Sequence, residues 1–329
     1  MRVLVTGGAG YIGSHTCKAL ARAGHTPIVY DNLRTGHAWA VKWGPFEHGD
    51  INDLAGLSDA MRRHRPDAVI NFAALAYVGE SVARPDLYYQ TNVTGMITLM
   101  QAMRFHEVKA IVLSSSCATY GVPARVPISE ETPQHPINPY GRSKRMAEEV
   151  MRDVCAAYGL GGVALRYFNA AGADRDGELG EEHEPETHLI PLVLQAAAGR
   201  RADVSIFGSD YDTPDGTCVR DYVHVTDLAS AHVAALSKCP PGGFSAYNLG
   251  SGRGSSIAEV ISCARAVTGK EIVAQHGPRR PGDPPVLVAD AARAREGLGW
   301  VPVHSDLERV ITDAWAWMTI HRARLPAGG

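Results

Sequence analysis

The sequence predicts an α/β protein: a doubly wound parallel sheet with a smaller mixed α/β domain beside it. Three observations carry this. Short β-branched runs alternate strictly with helix-length amphipathic stretches through the first half. A glycine-rich turn joins the first strand to the first helix. After Ala171 the rhythm breaks into a glycine- and charge-rich loop, 172–186, too long for an ordinary connection and so expected to be a lid or substrate loop.

Taken in order, the segments 3–6, 27–30, 46–49, 68–72, 110–114 and 162–166 read as buried strands. The segments 12–23, 54–64, 91–106 and 140–158 read as helices between them. Strict alternation demands right-handed crossovers and helices on both faces of a parallel sheet. Residues 1–171 are therefore expected to form the first domain, with 222–245 returning to it as a strand and a helix. Residues 172–221 and 246–325 are expected to form the second.

The turn at residues 6–13 has glycine at Gly7, Gly10 and Gly13 directly between strand and helix. Such glycines permit a tight turn and let a pyrophosphate approach the free N–H groups of a helix start. Tyr11 and Ile12 open that helix. Asp31 follows the second strand, where a carboxylate accepts the hydroxyls of an adenosine ribose and repels a 2′-phosphate. Together they predict a Rossmann-type dinucleotide site preferring NAD to NADP, although Arg34 stands close by. Asp50 and Ile51, after the third strand, are expected at the adenine, with a helix cap and a core residue as the alternative reading.

The fifth strand runs into Ser114, Ser115 and Ser116, and a later helix opens with Tyr140 and Lys144 at i and i+4, on one face. A phenol, with a pKa near 10 when free, is a poor base at neutral pH unless a cation stabilises the phenolate. The Tyr-x-x-x-Lys spacing supplies an ammonium. Beside a dinucleotide turn, this marks Tyr140, Lys144 and Ser116 as a proton-transfer set.

Composition excludes other classes. A net charge of −3, from 32 basic and 35 acidic residues, gives no general attraction for nucleic acid or anionic lipid. Six cysteines lie far apart without paired ligand spacing, so neither a disulfide framework nor a metal site is expected. Glu181, Glu182, His183 and Glu184 are expected to be a solvated loop and not a metal cluster. No apolar run reaches membrane-spanning length, and Met1 leads almost at once into a strand, so no secretory leader and a cytoplasmic location are expected.

Through the 6–13 turn, Ser116 and the Tyr140–Lys144 pair, the chain resembles the extended short-chain dehydrogenase/reductase family. Through the motifs at 10–16, 31–33, 78–82, 165–169, 215–222, 247–250 and 279–283 it is similar to the UDP-glucose (UDP-galactose) 4-epimerases within it. The resemblance implies reversible C4 epimerisation of UDP-glucose and UDP-galactose, with hydride passed to bound NAD and returned to the opposite face of a 4-keto sugar. A UDP-pentose epimerase is the alternative, and a non-catalytic NAD sensor a weaker one, since a sensor has no use for the proton-transfer set.

By this resemblance Tyr140 takes the 4-hydroxyl proton, Ser116 bonds the same oxygen, and Lys144 holds the nicotinamide ribose. Further cofactor contacts are implied at Asn32, Phe72, Ala73, Asn92, Ser114 and Tyr167. Phe168, Asn169, His188, Leu189, Arg220 and Arg280 are implied at the UDP-sugar, with Asp283 on the uridine ribose. Ile206 and Phe207 are implied at the uracil, and Leu287 at a gate beside the sugar C2 substituent. Related dehydratases carry an acid two residues after the catalytic Ser; this chain has Ala118, which exchanges no proton. Ala76 stands where some members carry a cofactor-contacting lysine. A homodimer through the 91–106 and 140–158 helices is also implied.

Overall fold

The computed structural model describes residues 1–280 and 283–324. Pro281 and Gly282 of the 279–283 motif, and Leu325 at the expected end of the second domain, lie outside the described residues.

The first elements follow the expected alternation: β1 (Arg2–Thr6), α1 (Tyr11–Arg22), β2 (Thr26–Asp31), β3 (Phe46–His48), α2 (Leu54–His64) and β4 (Ala68–Asn71). Asp53 starts α2 by accepting the N–H groups of Ala55 and Gly56. Two short helices come next, α3 (Val78–Ala83) and α4 (Pro85–Tyr88). The stretch expected as one helix at 91–106 is a π-helical turn, Tyr89–Thr94, running into α5 (Gly95–Phe105). Then come β5 (Ala110–Ser116), α6 (Pro139–Tyr158), β6 (Gly161–Tyr167) and β7 (Asn169–Ala171). Pro139 and the Asn138 side chain, which accepts the Gly141 N–H at 2.8 Å, set the start of α6; left-handed Gly159 ends it.

The remainder comprises α7 (Leu189–Ala197), β8 (Val204–Phe207), β9 (Val219–His224), α8 (Val225–Leu236), β10 (Phe244–Leu249), β11 (Gly254–Ser256) and α9 (Ile257–Thr268). It closes with β12 (Ala274–Gly277), β13 (Val286–Leu287), α10 (Ala292–Leu298) and α11 (Leu307–Arg324).

Seven strands form one parallel sheet in the order β10-β6-β5-β4-β1-β2-β3. Both faces are buried, which is why the strands are apolar at successive positions and not alternately. Leu4, Ile28, Val69 and Ile111 pack with Leu57, Met61, Leu99 and Met151 on one face. Val3, Val5, Val29 and Val112 pack with Cys17, Leu20, Leu228 and Ala231 on the other. The chain winds outward in opposite directions from β1 and β4, so a crevice opens between their carboxyl ends.

A third core, including Val193, Val204, Ile261 and Ile311, joins α7, α9 and α11 to a small sheet centred on β9. There β11 is antiparallel to β9, while β13 and β7 are parallel to it. Two expectations need correction. The strand expected to return near 222 lies in this small sheet, and only α8 returns to pack on α1. The boundary at 245 cuts β10, whose whole length pairs with β6. Both errors arise because a strand's sheet membership depends on partners distant in sequence.

Candidate functional site

The carboxyl ends of β1, β2, β4, β5 and β6 bring most of the expected groups to one crevice. Gly7, at the end of β1, has a left-handed φ of +72°, and a Cβ there would lie 2.5 Å from the Ala73 nitrogen. A Cβ on Gly13 would collide with the Gly7 carbonyl oxygen. The turn therefore exists only with glycine at these positions. Gly10 caps α1 with no side-chain acceptor, and no acidic residue stands in the first turn, leaving N–H groups available to an anion. The Tyr11 hydroxyl donates to Gly172 O at 2.6 Å, tying this helix start to the loop after β7.

Asp31 is buried at the end of β2 and accepts the N–H groups of Leu33 and Ala9 at 2.8 and 3.0 Å. Burial raises its pKa above the ordinary carboxylate value, with those two bonds opposing the rise. Asn32 donates to Asp50 at 2.8 Å on the rim. Burial works to raise the Asp50 pKa too, yet bonds from Asn52 and Asn32 hold it below its ordinary value. Ile51 packs in the main core, where a Cβ on Gly95 would press against it, so the core reading describes its side chain. Phe72 and Ala73, beyond β4, donate their backbone N–H groups to Thr6 O. These features, a Cβ-free cradle, an uncapped helix start and a buried acid, fit a dinucleotide.

Asn92, expected as a cofactor contact, has its amide engaged inside the protein. It accepts from Leu75 N and donates to Leu75 O and Ser143 Oγ. It thus latches the loop after β4 to α6.

Three serines in succession end β5. Ser114 Oγ shares a 2.5 Å hydrogen bond with the Tyr167 hydroxyl, and Ser114 O accepts from Lys144 Nζ at 2.9 Å. Ser116 Oγ accepts the Ala118 N–H at 3.1 Å and lies against Tyr140. Tyr140 and Lys144 are both buried. Burial, with a smaller contribution from Tyr167, pushes the Tyr140 phenol above its ordinary value, and a hydrogen bond with Ser116 opposes it. Burial lowers Lys144 to about 8, with the charge of Glu148 opposing. Tyr167 is pushed up to about 12 by burial.

At the outer end, Arg220 on β9 pairs with Asp283 at 2.5 Å and donates to the carbonyls of Val219 and Pro285. These two expected ligand groups therefore satisfy each other. On β8, Ile206 faces inward into the third core and Phe207 outward, with the Arg280 guanidinium 4.0 Å above its ring. The two-residue repeat of the strand thus leaves the backbone of Ile206, and not its side chain, for the uracil contact that the resemblance implies. Leu189 packs partly against that same core. Leu287 packs against a small cluster containing Phe168 and Cys117, near Ser116, while Asn169 begins β7.

The 181–188 segment also departs from expectation. Glu181, His183, Glu186 and His188 converge within 4.8 Å, and the two carboxylate side chains are 8% and 7% exposed, so the expected solvation does not hold for Glu181 and His183, while Glu184 is exposed. Burial disfavours charge on both imidazoles, but hydrogen bonds and charges of Glu181 and Glu186 outweigh it, lifting His183 to about 9 and His188 to about 10. The cluster is thereby balanced by its own cations. Its ligand-like convergence comes from folding the loop back beside Tyr11 and Tyr77, which linear spacing does not reveal.

Sequence reasoning missed a buried network: Glu148 with Ser115 and Arg166, then Arg166 to Tyr120 and Tyr120 to Asn248. Arg166 inside an otherwise apolar strand, and Glu148 one turn after Lys144, were the signals.

A parallel sheet with a glycine cradle and a Ser-Tyr-Lys set at its carboxyl end defines a dinucleotide-dependent enzyme class. Residues 3–250 match the model of the NAD dependent epimerase/dehydratase family. The chain belongs to that family. It is 51% identical to a UDP-glucose 4-epimerase of Rhizobium leguminosarum bv. trifolii over 316 residues, 96% of each chain. The crystal structure of a UDP-glucose 4-epimerase from Brucella ovis in complex with NAD is 55% identical, with a TM-score of 0.93 over 96% of this chain and 97% of that one. A UDP-glucose 4-epimerase from Bifidobacterium longum in complex with NAD+ and UDP is 40% identical, with a TM-score of 0.94 over 99% and 100%.

Proposed function

We propose that this protein is an NAD-dependent UDP-glucose 4-epimerase that interconverts UDP-glucose and UDP-galactose. The observation that carries the reading is the convergence of Ser116, Tyr140 and Lys144 beside the glycine cradle, in a chain about half identical to curated UDP-glucose 4-epimerases over nearly its full length. The relatives do not favour the pentose alternative.

Bound NAD supplies a hydride acceptor and donor, so the reaction has no net redox change. The cradle Gly7, Gly10 and Gly13, with Tyr11, Ile12 and Asp31, would hold it. Tyr140 receives the proton of the sugar 4-hydroxyl and gives it back. Burial makes its phenol too weak an acid to start as phenolate, so positive charge nearby must offset the cost, and Lys144 provides one such charge. Ser116 shares the substrate oxygen and orients it. Ala118 leaves no extra proton-transfer group for elimination. Arg220 exchanges its carboxylate partner for the diphosphate, releasing Asp283 towards the uridine ribose.

The seven-stranded unit is then the NAD-binding part and the β9-centred unit the UDP-sugar part. Exposed Ile97 and Phe105 on α5, with Met146 and Tyr158 on α6, support a homodimer through these helices. Six free cysteines support a cytoplasmic setting. Among the described residues no helix is long and apolar enough to cross a membrane. Incubation of the purified protein with UDP-galactose should yield UDP-glucose without net NADH; continuing NADH release with an oxidised sugar product would refute the assignment.

A further inference from the structure

Glu148 sits on α6 one turn beyond Lys144 and is wholly buried. Its carboxylate accepts from Ser115 Oγ at 2.5 Å, from Arg166 Nε at 3.0 Å and Nη2 at 2.6 Å, and from Gln134 Nε2 at 3.2 Å. Burying an ion pair gives little net stability compared with apolar residues of the same volume. Its placement has another consequence. Ser114 holds Lys144 and Tyr167, Ser115 holds Glu148, and Ser116 lies against Tyr140. Each serine at the end of β5 thus meets a different residue of α6, and Tyr140, Lys144 and Glu148 follow one another at four-residue intervals along one face of that helix.

We propose that Glu148 is a positioning residue for proton transfer: it pins Ser115, hence the strand end that presents Ser114 and Ser116, and it keeps Lys144 in the ammonium form. This rests on the epimerase reading. Lys144 donates to the Ser114 carbonyl of β5 and shares its helix face with Tyr140 and Glu148; beyond these, Tyr167 of β6 bonds Ser114 Oγ, Arg166 of β6 pairs with Glu148 and Tyr120, and Tyr88 of α4 lies against Tyr140. Among these, Glu148 is the anion that opposes the loss of the lysine proton on burial. A neutral residue there lets burial act unopposed, and the ammonium is lost at lower pH.

The experiment is an NMR titration of the parent and variants labelled at the lysine 13Cε position, with the Lys144 resonance assigned by its loss in Lys144→Arg. Parent Lys144 should titrate near 8. In Glu148→Gln the midpoint should fall by at least about one pH unit, a tenfold change in proton affinity. Glu148→Asp keeps the charge and should move it less. Glu148→Gln/Arg166→Met removes the stranded guanidinium, so it carries the test if the single variant fails to fold. The alkaline limb of epimerase turnover should move with the NMR midpoint. A Lys144 midpoint unchanged in the glutamine variants would overturn the proposal and leave Glu148 as a mere counter-ion for Arg166. A parent that never interconverts the two hexoses would sink the epimerase reading instead, and the lysine titration would still judge Glu148.

Discussion

The two ends of the crevice are built differently. At the β5 end, Tyr140, Lys144 and Ser116 stand on a regular strand and a twenty-residue helix, are buried, and have partners within the same two elements or the adjoining strand. At the β9 end, Arg220 and Asp283 are paired with each other, and Arg280 lies exposed on Phe207. The difference separates two demands. Proton transfer needs groups held in place with their pKa values set by burial, so rigid elements serve it. Capture of a charged nucleotide needs groups that can change partners, and here Asp283 is the more exposed member of its pair and Arg280 lies open to solvent.

The largest test of this contrast is Tyr140→Phe. Loss of the hydroxyl should leave fold and cofactor content intact while lowering turnover by at least about a hundredfold, the usual contribution of a general base. Near-normal steady-state rates would remove Tyr140 from its role and make the buried end no more than a well-packed core.

At the outer end, calorimetric titration of UDP should distinguish two arginines that the sequence treats alike. Arg220→Ala should weaken binding by about 2 to 5 kcal/mol, since its guanidinium is largely buried and would lie against the diphosphate. Arg280→Ala should weaken binding less, by no more than about fivefold, because an exposed guanidinium paired with a phosphate is screened by solvent. The reverse ranking would show that the Arg220–Asp283 pair stays closed on binding and is purely structural.

The smallest effect is expected from the 181–188 cluster, which lies beside Tyr11 and Tyr77, apart from both ends. Raised folded-state pKa values of about 9 for His183 and about 10 for His188 mean stability fully present below about 6.5 and lost as the pH rises through those values. Partial exposure of His188 limits the magnitude. The thermal midpoint of the parent should therefore fall more steeply between about pH 8 and pH 10.5 than that of His183→Gln/His188→Gln. Superimposable curves would show that these ion pairs add nothing measurable.

What the sequence determined by itself was whatever local periodicity or short spacing encodes. The strand and helix alternation, the glycine cradle, the Tyr140–Lys144 face and Asp31 at a strand end all depend on neighbours within one or two elements. Tertiary structure decided the rest. Linear order could not show that the strand at 219–224 leaves the main sheet while the one at 244–249 joins it. Nor could it show that Ile206 turns to the core, that Asn92 is spent on Leu75 and Ser143, or that Arg220 finds Asp283. It also concealed how two histidines and two glutamates fold into a self-neutralised cluster and how Glu148 comes to lie under Ser115. In each case the partner is supplied by a distant segment, and a charged or polar group in a protein interior is defined by that partner and by the water it has lost.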